Sequence, residues 1–163
     1  MTLSHLVRDL IRELARHGVR RICLLDGHYE NLWFLNEGVD LAYRELRDSD
    51  IRILVLQHWE FITEATLETV FPDGFPGIEL EHAAVLETSL MMHYYPELVR
   101  ESLIPDNPPA DSGPYDVWPP HREWVPDSGA LVSAKAASAD KGRLLAEQVG
   151  GDIGRALQRE FAI

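Results

Sequence analysis

The 163-residue chain has the length of one ordinary domain and is 45% hydrophobic, which allows a buried core and, with 26% charged residues, excludes a wholly disordered polymer. Its formal net charge of -12, from 27 acidic and 15 basic residues, repels nucleic acid and anionic membranes, and neither is expected as a partner. One cysteine, Cys23, excludes an intrachain disulfide; inside an apolar run it is expected to be a small buried hydrophobe.

The first element predicted is an amphipathic helix. Leu6, Leu10, Ile11 and Leu14 recur at helical spacing, with Val7 broadening the face, and Arg8, Arg12 and Arg16 lie opposite. This face is expected to point into the core, with Thr2 or Ser4 as cap and Gly18 as stop. Asp9 and Glu13 offset the positive side and argue against a membrane-surface helix. No run approaches 18 apolar residues, so no transmembrane helix is expected. The first residues lack a secretory apolar region, which points to a soluble cytoplasmic protein.

Residues 22–25 form a short apolar run ended by Asp-Gly, a buried strand followed by a turn. A second helical pattern runs through Leu35, Val39, Ala42 and Leu46 until Asp48-Ser49-Asp50 stops it, and residues 51–56 form the next strand. Helix, strand, helix, strand over residues 4–56 predicts an α/β fold, with helices layered on a mostly parallel sheet and covering its faces. Ligand sites in such sheets lie beyond the carboxyl ends of the strands, where His28 and His58 fall.

Further on, residues 60–69 predict a short helix, residues 71–82 a loop and residues 83–93 a helix. Residues 105–126 are proline-rich, yet Tyr115, Trp118 and Trp124 are expected to pack against something. The stripe Leu145, Val149, Ile153, Leu157 and Phe161 marks a last amphipathic helix, weakened at Gly150 and Gly151 unless a bend or close packing explains them. The chain is expected to be a single partial domain over residues 1–163, with residues 105–130 wrapping it or serving assembly.

Three segments carry candidate chemistry. In DGHYEN, residues 26–31, His28 and Glu30 stand two apart; an extended or turning backbone lets both approach one metal pair, and imidazole nitrogen with carboxylate oxygen suits zinc or manganese. The same residues also read as a polar turn capping a helix, with His28 merely hydrogen-bonded. In ELEHAAVLETS, residues 79–89, His82 stands beside Glu79 and Glu81, and a histidine among carboxylates can carry a proton near neutrality. Glu81 can hydrogen-bond the imidazole or hold a substrate amide. Adjacent helical residues diverge, so this pair converges more easily just before a helix, where it lies. Glu87 is expected on the helix surface, with a supporting partner of the residues that carry the chemistry as the other reading. In His58-Trp59-Glu60, Trp59 is either a cavity wall or ordinary packing.

The stretch DGHYENLWFLNEGVDLAYRELRDS resembles the creatininase family, as do QHWEF, FPDGFPGIELEHAAVLETSLMMHYYPELV and the PP…YDVWP…SGALVSAKAAS tail. The resemblance covers nearly the whole chain. It implies an α/β fold carrying two divalent metal ions, zinc with manganese or two zincs, in a homo-oligomer, usually a hexamer. The implied activity is a metal-dependent amidohydrolase reaction that opens the cyclic amide of creatinine to creatine, reversibly. By the same resemblance His28 ligates one metal and Glu30 the other. Tyr29 lines the substrate pocket, Trp59 matches an aromatic residue near its mouth, His82 matches the catalytic histidine, and Glu81 the acid that orients the substrate. Family creatininases carry tryptophan then aspartate where this chain has Ile78 and Glu79. Glu79 keeps the charge at that substrate-binding position, while the planar ring is lost, which raises another small cyclic amide as the alternative substrate.

The family domain also carries a glutamate, a histidine and a bridging aspartate as metal ligands in a segment expected to precede residue 1. The chain therefore resembles the carboxyl-terminal portion of the domain. The site is expected to be completed by the missing segment or by a subunit carrying the missing half. The remaining expectation is a catalytically inactive fragment or assembly subunit.

Overall fold

The computed structural model describes residues 1–111, 115 and 117–163. In chain order the elements are α1 (Thr2–Arg16), β1 (Arg21–Asp26), α2 (Leu32–Leu46), β2 (Arg52–Gln57), α3 (Glu64–Val70), α4 (Val85–Tyr94) and α5 (Ala139–Phe161), with short 3-10 turns between them. The chain divides into two compact units. One comprises Met1–Phe61 with Gly151–Ile163, the other Ile62–Gly150.

In the first unit β1 and β2 pair in parallel, from Arg21 opposite Arg52 to Asp26 opposite Gln57, with α2 as the connection. The mixed α/β reading of residues 4–56 therefore stands, with a sheet of two strands among the described residues. Val7, Ile11, Ile22 and Ala42 form the core, joined by half-buried Leu35, Val39 and Ile53. Arg52 Nη1 donates to Glu160 Oε2 at 3.2 Å and ties β2 to the last turn of α5.

Three expectations are corrected here. The buried edge of α1 is Ser4, Val7 and Ile11, whereas Leu6, Leu10 and Leu14 are 53, 55 and 41% exposed. The reason lies in α2. Gly38 offers no side chain, and a Cβ there would come within 2.8 Å of Ser4 O and 2.7 Å of Val7 Cβ, so this edge of α1 lies directly on the α2 backbone. Neither Thr2 nor Ser4 caps the helix; Met1 is its N-cap residue, with no side-chain hydrogen bond. Cys23 is exposed rather than buried. Strand β1 alternates, with Ile22 and Asp26 buried and Arg21, Cys23 and Leu25 exposed, so its apolar run is covered on one face.

The second unit packs Val70, Val85, Leu86 and Leu145 around partly buried Phe71, Phe75 and Ile78. Thr63 caps α3 by accepting the Thr66 N–H at 3.3 Å. The proline-rich segment is closed at its base. Ala110 N–H donates to Leu131 O at 2.6 Å, Ser133 Oγ to Pro105 O at 2.7 Å, and Asn107 Nδ2 to Ala130 O at 3.1 Å. Within it Trp124 packs edge-on to Tyr115 and His121, at 6.1 and 4.6 Å between ring centres, while Trp118 is 86% exposed. Residues 112–114 and 116, which belong to the predicted wrapping segment, lie outside the described residues. Gly150 has open space around it, so close packing does not account for it. No helix among the described residues is long and apolar enough to cross a membrane.

Candidate active site

The candidate residues fall into two local groups, one in each unit. The first begins where β1 ends. Asp26 is 2% exposed, and its Oδ1 accepts the backbone N–H of His28 at 3.1 Å and Asn31 Nδ2 at 3.2 Å. One side chain thus folds residues 26–31 into a turn, an Asx-type device. His28 is left extended at φ -148° and ψ 127°, and a 3-10 turn, Tyr29–Asn31, leads into α2. The outcome is a close pair: His28 Nδ1 stands 2.6 Å from Glu30 Oε2, with both side chains more than half exposed. An exposed pair of this kind is worth at most about 1 kcal/mol, so the turn rather than the pair holds the geometry.

Beside it Tyr29 packs against Trp33 at 6.1 Å and Trp59 at 6.3 Å, forming an aromatic wall across the ends of both strands. His58 packs edge-on to Trp59 at 5.0 Å. Buried atoms Asp26 Oδ2, Gln57 Nε2 and Trp59 Nε1 have no hydrogen-bond partner in the structure, which gives this end of the sheet polar capacity for a guest or water. His28 and Glu30 are donors of the types that zinc and manganese take. Their number is too small for a complete centre: among the described residues no group of three or more His, Cys, Asp or Glu side chains is placed to hold a metal ion.

The second group surrounds the start of α4. Glu79 belongs to the 3-10 turn Ile78–Leu80, and its exposed carboxylate folds back over Gly77. His82 is exposed in the four-residue link to α4, and Ile78 turns into the core of the unit. Glu81 is buried. Its Oε2 accepts the Leu86 N–H at 2.8 Å, and its Oε1 has no partner. Burial pushes its carboxyl up to about 7; the Glu87 charge adds to this, and the helix N–H groups of Leu86 and Val85 oppose it.

That shift has a sign for stability. A carboxyl raised in the folded chain costs nothing below its unfolded value, costs progressively more as pH rises through the folded value, and then levels off. The penalty for Glu81 is on the order of 3 kcal/mol at alkaline pH. Glu81→Gln, which retains an acceptor for Leu86, is therefore expected to stabilise the chain, by about 2 kcal/mol more at pH ~8.5 than at pH ~5.5. Urea unfolding at the two pH values checks this, and a pH-independent difference contradicts it.

Asp26, a turn residue in the sequence, organises the whole His28–Glu30 segment; the asparagine five residues on is the signal the sequence offers. Glu87 is on the helix surface as expected, but its carboxylate turns back to the Ala83 N–H at 2.5 Å. That depends on the backbone at Ala83, where φ is +54°, and sequence carries no sign of it.

The family profile described as "Creatininase: Creatinine amidohydrolase" matches residues 1–157. A creatinine amidohydrolase from Pseudomonas putida is 47% identical over 164 residues, which cover 98% of this chain and 63% of that protein. Among solved structures, one described as creatinine amidohydrolase (creatininase) superimposes with a TM-score of 0.95 at 48% identity, covering 98% of this chain and 63% of that one. A manganese form of creatininase gives 0.94 at 47%, and a zinc–zinc form of a glutamate-to-glutamine variant gives 0.94 at 46%, each covering 98% of this chain and 64% of the other. The chain thus spans somewhat under two thirds of the length of these relatives. A profile match over almost every residue, with near-superposition on these structures, places the chain in the creatininase family.

Proposed function

We propose that the chain supplies the carboxyl-terminal part of a metal-dependent amidohydrolase that opens the cyclic amide of creatinine to creatine, reversibly, with the remaining ligands coming from the rest of a family domain or from a partner subunit. One observation carries the reading: in a chain 47% identical to a creatinine amidohydrolase, the donors His28 and Glu30 stand 2.6 Å apart at the end of β1. A related creatininase was solved with creatine bound, which supports a substrate of this kind.

His28 and Glu30 would each contribute to one of two divalent ions, zinc with manganese or two zincs. Those ions, when bound, supply Lewis-acid activation of water and of the amide carbonyl. The chain's own residues do the rest. Tyr29 and Trp59 wall the substrate and exclude water. Glu81 and Glu79 hold and orient its amide side. As water adds to the carbonyl carbon and the ring C–N bond breaks, His82 carries the proton to the leaving nitrogen; in ring closure it takes the proton back. The natural assembly would be a homo-oligomer or a complex with a subunit bearing the missing ligands, in the cytoplasm, and residues 105–130 would serve as its wrapping or assembly segment.

A second reading keeps the chemistry and changes the ring. Ile78 stands where family creatininases carry tryptophan, and it packs inward among Val70, Val85 and Leu86. A planar stacking surface is thereby lost, which suits a less flat cyclic amide.

The test is creatinine turnover with zinc and manganese added and bound metal counted in the same sample, for the chain alone and for the chain completed by the remaining third of a family domain. Alone, the chain is expected to hold fewer than two metals and turn over nothing. Completed, it should gain about two metals and activity, and a chelator should remove both. A completed, metal-loaded assembly that opens another ring but leaves creatinine untouched would establish the second reading. Two metals with no turnover of any ring would leave an assembly subunit.

A further inference from the structure

Residues 81–84 join the turn Ile78–Leu80 to α4, and His82 sits within them. The first turn of any helix presents N–H groups without intrahelical partners. Here two carboxylates cross over that link. Glu81, before the helix, reaches forward to the Leu86 N–H at 2.8 Å. Glu87, inside the helix, reaches back to the Ala83 N–H at 2.5 Å. An ordinary capping box sends the third helical residue back to the N-cap N–H, which would be that of Ala84. Glu87 reaches one residue further.

That extra residue matters because of its backbone. Ala83 has φ +54°, a left-handed conformation that costs an alanine about 1 kcal/mol or more and persists only where its surroundings enforce it. The enforcement is visible at one peptide group. The peptide joining His82 to Ala83 has its N–H held by Glu87, and its carbonyl, the His82 O, accepts the Leu131 N–H at 3.2 Å. Both polar atoms of a single exposed peptide are thus fixed, from α4 on one side and from the base of the proline-rich segment on the other. Release of that peptide would free the chain on the carboxyl side of His82 to shift, and the place from which its imidazole is aimed would shift with it.

We propose that Glu87 is a positioning residue: by holding the Ala83 N–H it locks the His82–Ala83 peptide and sets the aim of the His82 imidazole. Its catalytic consequence rests on the reading of His82 as the proton carrier; the geometric claim does not. The competing role, a plain helix cap, would act on the stability of α4 and leave His82 where it is.

The test uses the full chain and Glu87→Ala, Glu87→Gln and Glu87→Asp, with Thr63→Ala as a matched loss of a cap at α3. Amide exchange at Ala83 and the His82 imidazole resonances are followed by NMR, with the other histidines as internal references, and kcat and KM are measured in the completed enzyme. Glu87→Ala is expected to speed Ala83 exchange by about tenfold or more, shift the His82 resonances, and lower kcat by about tenfold with KM within about twofold. Glu87→Gln, which keeps an acceptor at the same reach, should restore all three. Glu87→Asp, one methylene too short, should behave as alanine does and stands in for it if the alanine variant fails to fold. Thr63→Ala should lose stability without moving His82. Unchanged His82 resonances in Glu87→Ala and Glu87→Asp would overturn the proposal and leave a helix cap. If the completed enzyme shows no creatinine turnover in any variant, the functional reading fails, while the NMR comparison still decides the positioning role.

Discussion

Replacing His82 by alanine in the completed, metal-loaded enzyme is expected to lower creatinine turnover by about 10²–10⁴-fold, the usual contribution of a positioned acid–base group. That is about 3–5 kcal/mol of barrier. An imidazole is the side chain suited to giving and taking a proton near neutrality, and ring opening leaves a nitrogen that must be protonated. His82 is exposed, and its backbone carbonyl accepts the Leu131 N–H, a hydrogen bond that His82→Ala keeps. The loss should therefore appear in kcat with metal content unchanged. Turnover equal to the parent's would remove His82 from the mechanism and pass the proton to another group.

Gly142→Ala is expected to destabilise the chain by about 2–4 kcal/mol, against the usual sign for this exchange. In an open helix, alanine for glycine gains up to about 1 kcal/mol. At Gly142 a Cβ would run into the carbonyl group of Ser89 on α4 and come within 2.8 Å of His93 Cβ. Neither neighbour yields easily. Ser89 is fully buried, and its Oγ accepts the Ser138 N–H at 3.2 Å just before α5 begins, so backbone is held against backbone. The control is in the same helix. Gly150 has nothing within 4 Å of its added Cβ, and Gly150→Ala should stabilise by about 0.5–1 kcal/mol. Urea unfolding of the two variants should give opposite signs; a Gly142→Ala chain as stable as the parent would mean that α4 and α5 are not in backbone contact.

These two glycines show what a one-dimensional reading can and cannot separate. Both sit in α5, and by residue type both are equally poor helix formers. Only the neighbour across from each distinguishes a required contact from an open site.

The elements were legible because their signals are local. The apolar run at residues 22–25, the spacing of Leu35, Val39, Ala42 and Leu46, and the stripe from Leu145 to Phe161 each report a backbone period within a few residues. The resemblance of residues 26–49 and 71–99 to one family was legible for the same reason, since it is carried by contiguous motifs. The sequence by itself therefore determined which segments are helix and strand, the parallel α/β order of the first unit, and the family. Tertiary structure decided the rest. Which edge of α1 is buried depends on the missing side chain of Gly38, so Ser4 is covered while Leu6, Leu10 and Leu14 stay exposed. Whether Cys23 is buried depends on which face of β1 is covered. The turn at His28 hangs on a buried Asp26, and the link at His82 on a left-handed Ala83 held by Glu87 and Leu131. Burial and backbone hydrogen bonding are relations between segments, and a local period carries no information about the segment on the other side of the contact.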